Sequence, residues 1–471
     1  MPRLKIIQNG KEHTISFDGK VLLSDLLKSC GYMLPHPCGR KGICKKCEVC
    51  LNNHSVLACK TILSEDGTVI LPAREEIISV VGEAESKHLT DHVALCLDIG
   101  TTTLALALIS LDEKRMICHI IAPNPQRAYG ADVISRIDYC TKNGVSAMQI
   151  PLLKQIQEMI DELLCEFRLD SVENMYVAGN TTMLHLFWGV DCSSMGISPY
   201  TPSFLEQRKA FAEELGLRGI RTIVSLPGIS AFVGADIVAG MKYVGMPPSG
   251  KYNLLVDLGT NAEIALFSKE HILCTAAAAG PCFEGANISC GMSASPGAIC
   301  AYAPNGAITV IGNQKAKGLC ATGLIDTIAE NVRSEKIDET GFLEEDPLHV
   351  CENVFLTGKD IREFQLAKSA IRAAIESLLI KKGITYDDIS QLFVAGGFSS
   401  GLNVKNAAFV QLIPEELCDR FQGVNNACLL GIIKQACYPD HCEFALSNAE
   451  YADLSADPHF AELFMEYMMF Q

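Results

Sequence analysis

The most constraining feature of the chain is a strand–turn–strand unit that occurs twice. Residues 97–109 read LDIGTTTLALALI and residues 256–268 read VDLGTNAEIALFS. Each is an apolar strand, a D-[IL]-G-T turn and a second strand. A second echo pairs YVAGNTTM at 176–183 with FVAGGFSS at 393–400. A chain that repeats such units among alternating strands and helices is predicted to form two related α/β halves with a ligand cleft between them. The two pairs are spaced unequally, so the second half is expected to carry an insertion, at 275–323 or in the acidic stretch 335–346. Two long helices are predicted: 152–167, with Pro151 in its first turn, and 361–382, with Phe364, Ala367, Ile371, Ala374 and Leu378 along one face.

The turns carry chemistry. Asp98-Ile99-Gly100-Thr101-Thr102-Thr103 follows one strand and opens another. Glycine lets the N–H groups of such a turn approach a polyphosphate, the threonine hydroxyls donate to it, and the aspartate can hold Mg2+ through water. Asp257-Leu258-Gly259-Thr260-Asn261 repeats the apparatus. Ala395-Gly396-Gly397-Phe398-Ser399-Ser400, after a third apolar strand, reads as an adenosine-side turn whose glycines permit flat contact with a nucleoside. One such turn alone is ordinary tight-turn chemistry; the set of three points to ATP.

Residues 1–75 read as a separate β-rich unit. Strands are expected at 4–8 and 13–17 around Asn9-Gly10, a helix at 21–30 ending on Gly31, and a strand at 68–71 stopped by Pro72. The polar composition of 74–91 marks a linker, placed at 76–92. Within this unit HPCGRKGICKKCEVCLNNHSVLACK spaces Cys38, Cys44, Cys47 and Cys59 as C-x5-C-x2-C-x11-C. A [2Fe–2S] cluster needs four converging thiolates and small residues that let backbone N–H groups reach the sulfides. Gly39 and Gly42 supply those, and a hairpin at Asn52-Asn53 would return Cys59 to Cys47. C-x2-C is also a zinc spacing, but the glycine-bearing loop favours the iron–sulfur reading. Cys50 is expected on the opposite face of its strand, as a bystander.

Composition narrows the partners. The 471 residues carry 39 Lys+Arg against 55 Asp+Glu, a net charge of −16, which opposes nucleic acid as a partner. No apolar run approaches the ~18 residues of a membrane span, and the first residues lack a signal-peptide stretch. Twenty-one cysteines without a secretory signal argue for a reducing, cytoplasmic setting, such as an anaerobe's, over a disulfide framework. Outside the four, cysteines such as Cys96, Cys118 and Cys165 are expected to behave as small buried hydrophobes.

The two phosphate-type turns and the adenosine-type turn resemble the superfamily of acetate and sugar kinases, heat-shock chaperones and actin. In that resemblance GADIVAG at 234–240 and NNACLLG at 425–431 take the places of two connecting, hinge-forming helices. Behind an N-terminal ferredoxin unit, the whole resembles the reductive activators of corrinoid proteins. NPQRAYGADVISRI (124–137), AGNTTMLHLFWG (178–189), GPCFEGANISCGM (280–292) and QLAKSAI (365–371) are similar to that family as well. The resemblance implies an α+β ferredoxin-like β-grasp domain (1–75), then a duplicated α/β actin-like, ribonuclease H-like ATPase domain (93–250 and 251–471). The short linker departs from longer members, whose separate middle domain is expected to be absent or much reduced. Ser399-Ser400 in the adenosine turn and Cys282 in place of a small residue are further departures.

The resemblance further implies ATP-dependent conversion of cob(II)amide to cob(I)amide. One electron passes from the cluster of Cys38, Cys44, Cys47 and Cys59 to a partner corrinoid protein of a methyl-transfer system, with a low-potential donor upstream. Asp98, Asp257 and Glu284 are the candidates for metal and water positioning, although Glu284 could equally cap a helix. Gly100, Thr101, Thr102, Gly259, Thr260, Asn261, Gly396 and Gly397 are the nucleotide candidates. Asn180-Thr181-Thr182 either lines the cleft or caps a helix, His36 and His185 are read as structural, and Tyr467, Met468, Met469 and Phe470 as core packing. A homodimer accords with the resemblance. A plant-type cluster works near roughly −400 mV, and each 100 mV uphill costs about 2.3 kcal/mol per electron, so coupling to a nucleotide makes physical sense. The rivals are a small-molecule kinase with a fused redox regulator, an ATP-gated donor to a non-corrinoid enzyme, and a redox sensor.

Overall fold

The computed structural model describes residues 2–8, 11–30, 32, 34, 47–52, 54–71, 92–439 and 446–470. The expected turn at Asn9-Gly10, the helix stop at Gly31, the linker, His36, Cys38 and Cys44 lie outside the described residues. The first sheet pairs β1 (Arg3–Gln8) antiparallel with β2 (Lys11–Ser16). After β2 come the short strand β3 (Val21–Leu22) and α1 (Leu23–Ser29), a helix later in starting than its apolar spacing predicts. Val21 and Leu22 are taken instead into pairing with β6 (Ile62–Leu63). A hairpin, β4 (Glu48–Leu51) and β5 (His54–Leu57), and β7 (Gly67–Ile70) complete the sheet in the order β2-β1-β7-β4-β5. Leu23, Leu26 and Leu27 of α1 share a core with Leu4, Ile6, Val49 and Val69. A helix laid on a mixed five-stranded sheet is the architecture expected of a β-grasp unit.

The next sheet has the order β10-β9-β8-β11-β13-β12, from β8 (Val93–Ile99), β9 (Thr103–Ser110), β10 (Arg115–Pro123), β11 (Val172–Gly179), β12 (Arg208–Phe211) and β13 (Ile220–Ser225). Its helices are α2 (Val133–Asn143), α3 (Ser146–Phe167) and α4 (Thr181–Trp188). Pro151 lies inside α3 and not in its first turn. The proline forfeits one helical hydrogen bond, but Met148 upstream is fully buried, and that burial carries the helix back to Ser146.

By compactness the chain divides at Pro227/Gly228, earlier than the boundary near 250 read from the sequence. The difference is α5 (Ala235–Val244), whose Val238 and Met241 belong to a core with Leu255, Phe267 and Phe393. The second unit repeats five strands of that plan and carries its sixth on the opposite edge, as β18-β17-β14-β15-β16-β19, from β14 (Tyr252–Leu258), β15 (Ala262–Phe267), β16 (Ile272–Ala277), β17 (Ile389–Ala395), β18 (Phe421–Val424) and β19 (Ala449–Tyr451). Its remaining helices are α6 (Ala321–Arg333), α7 (Gly358–Lys382), α8 (Val404–Phe409), α9 (Ala427–Cys437) and α10 (Phe460–Glu466). In α7, Thr357 caps the first turn reciprocally with Asp360, and all five predicted core positions are buried. Helices α5 and α9 touch backbone to backbone: a Cβ on Gly431 would lie 1.8 Å from Ala239 O.

Candidate functional site

Three groups of residues carry the predicted chemistry, each within one sheet. In the first α/β sheet, Asp98 is the penultimate residue of β8, and its register places it between Ala105 of β9 and Ala178 of β11. The turn that follows is held from several sides. Asn124 Nδ2 donates to Gly100 O at 2.8 Å, and Asn180 Nδ2 donates to the Thr101 hydroxyl at 3.1 Å. The same Asn180 caps α4 by accepting from Met183 N–H at 2.9 Å, so it both caps the helix and braces the Thr101 turn.

The turn's strongest support comes from a residue to which the sequence reading assigned no role. Arg136 is fully buried. Its guanidinium donates to Thr101 O (2.5 Å), Gly130 O (3.1 Å) and Gln126 Oε1 (3.3 Å) and lies 3.1 Å from Met183 Sδ. Burial pushes it down to about 9, which leaves it charged at neutral pH. The available signal was an arginine on the apolar face of a helix, next to Ile137 and four residues before Cys140.

In the second sheet Asp257 takes the position in β14 that Asp98 takes in β8. Cross-strand register sets it opposite Glu263 on one side and Ala395 on the other. Burial pushes the Asp257 carboxyl up to about 6. Glu263 is driven well above the usual carboxylate range, first by burial and then by repulsion from Asp236, Asp257 and Glu284. Both keep an accessible edge. Glu263 was missed by motif reading, although it is the one carboxylate in an otherwise apolar strand, and Asp236 lies in the first turn of α5. Thr260 Oγ1 donates to Glu284 Oε2 at 3.1 Å, joining the DLGT and FEG turns, with Glu284 itself exposed.

The Gly396-Gly397 turn sits on the same end of the sheet. Gly396 has φ +118°, and a Cβ there would lie 2.6 Å from Leu258 O, while a Cβ at Gly397 would meet nothing within 4 Å. Glycine is thus required at 396, and 397 faces open space. The serines that depart from the family pattern brace this turn: Ser399 Oγ donates to Gly396 O (3.0 Å) and Val424 O (2.9 Å), and Asn425 Nδ2 donates to Ser400 Oγ (2.9 Å). Cys282 is buried, and burial pushes its thiol up to about 12. His185 is structural: Nδ1 donates to Thr181 O at 2.7 Å and Nε2 accepts from Ser203 N–H at 3.0 Å.

A carboxylate held protonated by burial makes stability depend on pH with a definite sign. Between 3.8 and about 6 the folded chain retains the Asp257 proton that the unfolded chain has lost. Stability is therefore expected to fall as pH rises through that window. Chemical denaturation should show this slope, and Asp257→Asn should flatten it.

In the first unit Cys47 and Cys59 flank the β4–β5 hairpin, and both thiols are buried in its core, 1% and 5% exposed. Ala58 N–H donates to Cys47 O at 3.0 Å, which closes the hairpin beside the two cysteines. Two buried thiols carried to one end of a rigid hairpin fit half of a four-thiolate site. Cys47 and Val49 face the core while Glu48 and Cys50 turn the other way, as expected for a bystander at Cys50. Among the described residues no three His, Cys, Asp or Glu side chains are arranged to hold a metal ion. Cys96 and Cys118 are buried, but Cys165 is exposed; it lies on the solvent face of α3 beside Glu166, opposite the Leu152–Leu163 stripe.

Two α/β sheets with matching DxGT turns, and a glycine turn on the second, define an actin-like ATPase. The comparisons with known proteins agree. Residues 251–471 match the family model for the C-terminal domain of RACo, the ASKHA domain, and residues 93–249 match that for the RACo middle region. The chain belongs to the family of reductive activators of corrinoid proteins. The segment matched by the RACo middle region is the first α/β sheet and its helices. The corrinoid activation enzyme RamQ of Eubacterium limosum is 27% identical over 585 aligned residues, covering 98% of each chain. The [Co(II) methylated amine-specific corrinoid protein] reductase of Methanosarcina barkeri is 27% identical over 361 residues, 66% of this chain and 64% of that one. A solved reductive activator for corrinoid, iron-sulfur protein shares the fold, with TM-score 0.71 and 23% identity over 99% of this chain and 98% of its own. No helix among the described residues is long and apolar enough to cross a membrane.

Proposed function

We propose that the chain is an ATP-dependent reductive activator that returns a corrinoid protein from cob(II)amide to cob(I)amide. The observation that carries this is the match to both RACo regions, in a chain aligned over nearly its whole length with a corrinoid activation enzyme. We read residues 1–75 as its ferredoxin domain, 76–92 as a linker, and 93–250 and 251–471 as the ATPase halves, in a cytoplasmic protein.

In this reading Cys47 and Cys59, with Cys38 and Cys44, hold a [2Fe–2S] cluster. When bound, it would supply a one-electron carrier of low potential. Gly100, Thr101 and Thr102, and Gly259, Thr260 and Asn261, present N–H and hydroxyl donors to the phosphates of ATP. Asp98 and Asp257 would hold Mg2+ alongside those phosphates, as one or two carboxylates suffice for that ion. Gly396 and Gly397 offer a flat seat for the nucleoside. The Thr260 hydroxyl donates to Glu284 Oε2, which supports reading that carboxylate as the group that orients an attacking water. A nucleotide can drive an uphill electron transfer only by binding one state of the chain and its partner more tightly than the other.

Anaerobically purified protein with a chemical reductant is expected to hydrolyse ATP faster when a cob(II)amide-loaded corrinoid protein is added. The corrinoid absorption should shift to that of cob(I)amide only with ATP present. Unstimulated hydrolysis with every corrinoid partner tried, together with phosphate transfer to a small molecule, would place the chain among the kinases.

A further inference from the structure

The QLAKSAI stretch of α7 and the YMMF segment at 467–470 have no part in the site so far, yet they are bound to each other. Gln365 Nε2 donates to Met468 O (2.7 Å), Lys368 Nζ to Tyr467 O and Met469 O (2.5 Å each), and Ser369 Oγ to Tyr467 O (2.7 Å). Phe470 N–H donates to Glu339 O at 2.8 Å, and the Arg372 guanidinium lies 4.7 Å from the Tyr467 ring centre. Lys368 is fully buried, a costly place for an amine unless its hydrogen bonds are made. These side chains form a clamp on one short segment.

What the clamp fixes is the Phe470 ring. It stacks on Phe364 (centroids 6.3 Å apart, planes at 26°), Phe364 meets Phe283 edge-on (5.9 Å, 76°), and Phe283 stacks on Phe398 (5.6 Å, 27°). Phe283 immediately precedes Glu284, and Phe398 immediately follows Gly397. A column of four rings therefore runs from the clamped segment to the two turns. Phe470, Phe364 and Phe283 are at most 4% exposed, and a close-packed interior passes on a displacement because it has no voids to absorb it. Helix α7 ties the other end too, since Asp360 Oδ1 accepts from Ser289 N–H (2.8 Å) and Oγ (3.1 Å) just past the FEG turn.

We propose that Phe470 is a positioning residue of the nucleotide site: through Phe364 it sets Phe283 and Phe398, and with them the spacing of Glu284 from Gly396-Gly397. This rests on the reading of those turns as ATP-binding. The test is MgATP binding to the full chain by calorimetry, with thermal melting of each variant. Phe470→Leu keeps apolar bulk and removes ring stacking, and should weaken MgATP binding about fivefold in a chain that still melts above the assay temperature. Phe470 and Phe283 are separated by Phe364, and separated sites normally contribute additively. The column predicts otherwise: Phe470→Leu combined with Phe283→Leu should lose little more than Phe283→Leu alone. Lys368→Met loosens the clamp and leaves all four rings; it should weaken binding in the same direction, and it serves if Phe470→Leu does not fold. Wild-type affinity in Phe470→Leu, or simple addition of the two losses, overturns the proposal while the ATP reading stands. A wild-type chain that binds no MgATP removes the reading and the proposal with it.

Discussion

Cys47→Ser and Cys59→Ser variants are expected to lose the visible absorption and electron paramagnetic signal of an iron–sulfur cluster and to reduce no corrinoid. MgATP binding should remain. Disturbing a residue that merely supports a metal ligand costs ten- to a hundredfold in affinity or activity, so losing a ligand should cost corrinoid reduction more than about a hundredfold. Both thiols are also core residues of the small sheet, so a lower melting temperature for this unit should accompany the loss. Cys50→Ser is the control: its side chain turns away from Cys47, and its spectrum should match that of the unmodified chain. An intact spectrum in Cys59→Ser would take that residue out of the site. In the proposed reading all four thiols precede residue 93, which is why separation of electron transfer from nucleotide binding is the informative readout.

The second large effect is expected at Arg136. Arg136→Met preserves much of the bulk but leaves the carbonyls of Thr101 and Gly130 and the Gln126 side chain without their donor. Each buried acceptor left unpaired costs about 1–3 kcal/mol. Urea denaturation of the variant should show a loss of that order. MgATP binding by whatever fraction remains folded should be weaker than about a tenth of normal, because the turn at Gly100–Thr102 no longer has its inner support. Arg136→Lys should recover part of the stability, since one ammonium can reach only some of the acceptors that a planar fork serves. Stability and binding both unchanged in Arg136→Met would show that the turn is held by Asn124 and Asn180 alone.

The legible parts of the molecule were those that local pattern controls. The DxGT turns, the Gly396-Gly397 turn and the helix beginning near Ile361 need particular residues at particular places, and the sequence displays them. The β4–β5 hairpin around Asn52 was legible for the same reason. Arg136 was not, because a buried cation is defined by the carbonyls around it, and Thr101 lies 35 residues away in sequence. Glu263 became a site residue only through cross-strand register with Asp257, which a single strand does not reveal. Pro151 misled in the opposite direction: its local effect is real, but the burial of Met148 outweighs it. The role of QLAKSAI needed the path of a segment about a hundred residues further on.

The contact between α5 and α9 has a mechanical meaning. Two helices separated by side chains can slide, because rotamers on both faces adjust as they pass. Because a Cβ on Gly431 would lie only 1.8 Å from Ala239 O, there is no such layer to shear. The pair behaves as one stiff beam rather than two rods with a bearing between them. Any bending of the second unit must then be taken up by the loops that enter and leave the beam, around Gly234, Gly245 and Asn426. Stiffness placed in a glycine contact of this kind also has no gradual alternative, since the first methyl group added at residue 431 already forces the helices apart.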